Sequence, residues 1–204
     1  MSDHLMDVQS ETVPCPGMSQ EATLHRVIQA LNDIGIEARI VEGATGFLRG
    51  VRIVAGALHI APDCRVSDVL HEAGHVACVP KRYRHRAYDD LDELAREMFD
   101  DLDRLDVHPE SPLYRAVIQC SDQEATAWAW AFGQHLGVAP EDIIEDHQYP
   151  DEITGEGTGS EVRLALSVRM YGGIHGLAHA GFCSTNRFGR LPLYPQLAYW
   201  TQEL

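Results

Sequence analysis

The chain holds 204 residues, enough for one domain with a real hydrophobic core. Apolar residues make up 45% and charged residues 23%, the balance of a soluble globular protein rather than a disordered one. A formal net charge of −15 argues against binding nucleic acid or an anionic membrane through bulk charge, and suits basic partners.

Residues 1–18 are polar and carry Pro14, Pro16 and Gly17, so they read as a flexible tail ahead of a single domain over 19–204. Leu24, Val27, Ile28 and Leu31 recur at helical spacing and predict a helix over 19–34, capped by Ser19 and stopped by Gly35. Residues 37–42 and 50–61 alternate or run apolar between glycines and predict two or three short antiparallel strands. A helix over 65–78 follows, ending before Pro80, with Ser67 or Asp63 as its cap. The basic stretch 81–88 reads as a loop, and 89–105 as a charged helix with a solvated face. Residues 111–136 read as helical, in two pieces around Cys120, with a short turn of helix at 142–145. An acidic, Gly-rich loop spans 148–160, one helix covers about 161–180, and the C-terminal segment packs or trails. The expected class is α+β, a small, mostly antiparallel sheet flanked by helices.

Five cysteines in an odd set without CxxC spacing suggest reduced thiols and a cytoplasmic location. The N-terminal residues hold no apolar run suited to a signal peptide, and no stretch approaches the ~18 apolar residues of a membrane helix.

The informative segment is His71-Glu72-Ala73-Gly74-His75, an HExxH motif on the predicted 65–78 helix. Positions i and i+4 stack on one helix face, so the two imidazoles can address one metal ion. Glu72 flanks that face and can reach a metal-activated water without being a ligand. The preceding ALHIAP segment reads as an edge strand leading into the helix, a place where a substrate backbone is held by strand addition.

A catalytic zinc has three protein ligands and one open position. Glu124 is the favoured third ligand: it opens a helix rich in alanine that can pack closely on the motif helix. An acid on an otherwise apolar face also needs a partner. Asp122, two residues earlier and on another face, competes with it, as does the i, i+4 pair His175 and His179. His175 or Tyr171 could instead donate to the oxyanion of a tetrahedral intermediate. Asp68 and Asp122 are candidates to orient the free ring nitrogens of the metal-binding histidines. His59, in the predicted edge strand, has no face assigned by alternation.

HEAGH followed by the Glu124-Ala125-Thr126-Ala127-Trp128 helix resembles the compact gluzincin metallopeptidases, including the ImmA/IrrE-type bacterial proteins. It is also similar to small bacterial HExxH proteins of unassigned role. The resemblance covers roughly residues 50–136. It implies a zincin-like fold, Zn2+ held by His71, His75 and Glu124, Glu72 as general base, and a peptide or protein substrate. The span from His75 to Glu124 is longer than that pattern and holds an extra acidic helix, and no helix-turn-helix module is evident. The expected function is therefore a zinc-dependent hydrolase, with a regulatory or binding protein on the same scaffold as the alternative.

Overall fold

A computed structural model of the chain describes residues 19–150 and 157–204. The expected N-terminal tail and part of the 148–160 loop lie outside these residues.

Helix α1 (Gln20–Asp33) starts at Ser19, whose side chain accepts from the Ala22 amide, and buries Leu24, Val27 and Leu31. Its Asn32 side chain then bonds both the amide and the carbonyl of Ala38, fixing the entry to the sheet. Strands β1 (Ala38–Ile40), β2 (Val51–Val54) and β3 (Ala57–Ile60) form a three-stranded sheet in the order β1-β3-β2. β2 and β3 are a hairpin, with Ala55 and Gly56 both at positive φ as a two-residue turn demands. Gly56 is also required by space, because a Cβ there would sit 2.4 Å from the Arg84 carbonyl oxygen.

The sheet departs from the sequence expectation in two ways. β1 runs parallel to β3, so the sheet is mixed. β3 lies in the centre rather than at an edge, so its backbone groups are committed on both sides and strand addition there is closed. Val51, Ile53, Leu58 and Ile60 are buried, while Arg39, His59 and Arg52 lie in register across the opposite face. His59 contacts Arg39 on that face.

Helix α2 (Val66–Cys78) follows the sheet and is buried along almost its whole length. Its N-cap is Arg65 and has no side-chain cap; Ser67 donates instead to Glu145. The basic stretch contains one turn of helix, α3 (Lys81–Arg84). Helix α4 (Leu91–Arg104) is capped by Asp90 and seats Leu94, Met98 and Leu102 in the core. The break around Cys120 separates α5 (Pro112–Val117) from α6 (Asp122–His135). Short α7 (Pro140–Ile143) and a 3-10 turn at Asp146–Gln148 come next.

The single helix expected over 161–180 is two, α8 (Gly159–Ser167) and α9 (Gly172–His179). Arg169 adopts φ 61 between them, which ends one helix and re-aims the next. The C-terminal segment packs. Tyr194 donates to the Ala127 carbonyl, Trp128 to that of Trp200, and the Gln202 amide to that of Ala77. No described helix is long and apolar enough to cross a membrane.

Candidate metal centre

The site forms where α2 crosses α6. Gly74 makes the close approach possible, since a Cβ at that position would lie 2.4 Å from the Ala125 carbonyl oxygen. Small residues on both helices therefore bring the first turn of α6 against the HExxH face of α2. The Nε2 atoms of His71 and His75 are 3.2 Å apart, an approach that the i, i+4 spacing on one helix face permits.

The carboxylate that meets them is Asp122. Its Oδ1 lies 3.1 Å from His75 Nε2 and 3.6 Å from His71 Nε2. These three side chains form a group able to hold a metal ion. The spacing can be tested against coordination geometry. Bonds of 2.0–2.2 Å in a tetrahedron set donors about 3.3–3.6 Å apart, whereas facial octahedral positions would be about 2.8–3.1 Å apart. The observed edges of 3.1, 3.2 and 3.6 Å span both ranges, so three donors stand close enough to share one ion.

Glu124, expected as the third ligand, is placed elsewhere. It occupies the third position of α6 in a capping box, where its Oε2 accepts from the Ser121 amide at 3.1 Å and the Ser121 hydroxyl at 2.5 Å. The partner that this buried acid needs is the start of its own helix. Helix α9 closes over it: a Cβ on Gly176 would fall 1.8 Å from Glu124 Oε1, and one on Gly173 would fall 1.8 Å from the Gln123 carbonyl oxygen. The glycines of the Gly172–Gly176 stretch thus serve tight packing onto α6. His175 points away from that contact, is exposed, and does not line the cleft in front of the histidines. His179 is exposed as well.

Glu72 sits where the motif predicts. It is 7% exposed, and its open side faces a cleft of about 560 Å³ that also contains His71, His75 and Asp122. Burial raises its carboxyl above the usual range, opposed by the nearby His75 and His71 rings. Hydrogen bonds from the His71 and His75 rings, helped by their charge, hold the Asp122 carboxyl well below that range. One helical turn after Asp122, Thr126 Oγ1 meets the Tyr149 hydroxyl at 2.7 Å, and the Tyr171 phenol lies beside the same threonine. Burial raises both phenols further above the ordinary tyrosine range.

Outside the metal-binding nitrogens the histidines are less supported than expected. Asp68 does not reach the His71 ring; it accepts from Gln148 and faces His147. His75 Nδ1 is buried without a hydrogen-bond partner among the described residues.

No protein-family model, curated protein or solved structure matches the chain.

Proposed function

We propose that the chain is a zinc-dependent hydrolase acting on peptide bonds, with His71, His75 and Asp122 as metal ligands and Glu72 as general base. The observation that carries the reading is the convergence of two imidazoles and one carboxylate within 3.6 Å of one another, with a buried Glu72 opening onto the same cleft. Two nitrogens and one oxygen suit zinc, and three protein ligands leave a position for solvent. Zinc held there supplies Lewis acidity toward a carbonyl oxygen and lowers the pKa of a coordinated water toward about 7.

Glu72 takes the proton of the attacking water and returns it to the amine leaving group as the carbon–nitrogen bond breaks. Its burial suits both roles, because desolvation raises the carboxyl's affinity for a proton. Asp122 stays ionised and available as a ligand. Tyr149 and Tyr171 engage Thr126 behind the Asp122 turn of α6 and do not line the cleft, so no oxyanion role is assigned to them.

The deciding experiment is Glu72→Gln. The variant should bind zinc as tightly as the natural chain and lose peptide hydrolysis by about 10²–10⁴-fold, the usual contribution of a general base. Undiminished hydrolysis by the variant would remove Glu72 from the chemistry. If the zinc-loaded natural chain cleaves nothing in a broad peptide mixture, the hydrolase reading falls and a binding role for the site takes its place.

A further inference from the structure

Helix α4 carries two apolar stripes. Leu94, Met98 and Leu102 fill the core, as one face of an amphipathic helix should. Leu91, Ala95 and Phe99, also at four-residue steps, form one wall of the cleft that ends at His71 and His75, with Leu91 also packed against the edge of the core. Val117 and Ile118, at the end of α5, line the same cleft. Phe99 is 42% exposed and Phe47, in the loop before β2, is 89% exposed, so aromatic surface stands at the cleft uncovered by the described residues.

The charge of the cleft is one-sided. Glu72, Asp89, Asp90, Asp92 and Asp122 line it, and no Lys or Arg among the described residues does. Asp122 belongs to the metal set, and Asp89 is engaged by the Ile53 amide and the Arg52 guanidinium. Asp90 and Asp92 remain, at the first turn of α4. Asp90 accepts from the Glu93 amide, and neither carboxylate has a Lys or Arg partner among the described residues. Acidic residues at a helix start are by themselves a common stabilising arrangement. Here they border an apolar floor and a carboxylate, Glu72, that is more than nine-tenths buried, lacks a hydrogen-bond partner among the described residues and opens into the same space.

We infer that this cleft selects a polypeptide segment carrying Lys or Arg beside a bulky apolar residue. The apolar side chain lies on Leu91, Phe99, Val117 and Ile118, and the basic group sits against Asp90 and Asp92. The inference rests on the peptidase reading for its cleavage step, but recognition alone does not need that step.

Two measurements separate the two claims. The first is anisotropy of labelled peptides on zinc-loaded Glu72→Gln protein, using peptides identical except for Arg, Ala or Glu next to a Leu. The second is cleavage of the same peptides by the natural chain. Arg peptides should bind and be cut preferentially, and the preference should shrink as salt rises from 50 to 500 mM. Asp92→Asn, and Asp90→Asn, which keeps the helix cap, should each raise the Kd and KM of the Arg peptide about two- to fivefold. They should leave the Ala peptide and kcat little changed. Phe99→Ala should weaken all peptides that carry the Leu. Cleavage with no basic preference overturns this inference and leaves the peptidase reading intact. Selective binding without cleavage does the reverse. Absence of both binding and cleavage overturns both.

Discussion

The assignment of Asp122 in place of Glu124 can be tested by two substitutions that should move different observables. Structural zinc sites release roughly 10–16 kcal/mol over four ligands, so one ligand is worth about 2.5–4 kcal/mol, or 10²–10³ in affinity. Asp122 is exposed and accepts no cap hydrogen bond, so in metal-free protein Asp122→Ala should remove only its exposed contacts with the His71 and His75 rings and its place in the first turn, about 1 kcal/mol or less. Glu124→Ala instead removes the acceptor for the Ser121 amide and hydroxyl. It should cost about 1–2 kcal/mol, a fall of roughly 2–8 °C in Tm for a chain of this size, with zinc affinity changed less than tenfold.

The contrast sharpens under saturating metal. At free zinc a thousandfold above the natural chain's Kd, binding stabilises the fold by about 4 kcal/mol. The same zinc would stabilise Asp122→Ala by only about 0.4–1.4 kcal/mol, because its Kd is 10²–10³-fold weaker. Thermal melts with and without chelator, alongside titration against a competing chromophoric chelator, read both quantities. If Glu124→Ala loses zinc while Asp122→Ala keeps it, the ligand set drawn from these distances is wrong.

Other expectations follow from the packing and burial. Gly74→Ala should force α2 and α6 apart, destabilising the fold by about 1–3 kcal/mol and weakening zinc binding together, since a Cβ would meet the Ala125 carbonyl; unchanged zinc affinity in a folded variant would separate the helix contact from the site. Burial raises the folded-state pKa of Asp68, so the folded form holds that proton longer and stability declines as pH rises from the ordinary carboxylate range through the raised value. Urea titrations at pH 4 and pH 7 should therefore show Asp68→Asn gaining on the natural chain at the higher pH, and a gain at the lower pH instead would reverse the assigned sign. Burial pushes the Cys64 and Cys183 thiols up to about 12, so neither should react with iodoacetamide at pH 8 until denaturant is added, as peptide mass spectrometry would read.

The parts of this fold that follow from local rules were legible in the sequence. The α1 stripe, the break around Cys120 and the HExxH helix rest on periodicity and capping, which are written within a dozen residues. The sheet order was not, because a parallel β1–β3 pairing depends on how the chain crosses over, and a three-residue strand carries little pattern. The third ligand turned on a choice between neighbours in Ser121-Asp122-Gln123-Glu124. That string is itself a capping signature, Ser followed three positions later by Glu. A capping box turns the third carboxylate back toward its own helix start and leaves the first one free to project beyond it. The signal that spent Glu124 on Ser121 was therefore the same signal that released Asp122 to the histidines. What no local rule supplied was the approach of the helices, which depends on Gly74 meeting Ala125 across fifty residues of chain. Only that contact turns a free acid into a ligand, and it is why the distance from His75 to Asp122, rather than the motif alone, bears the weight of the metal assignment.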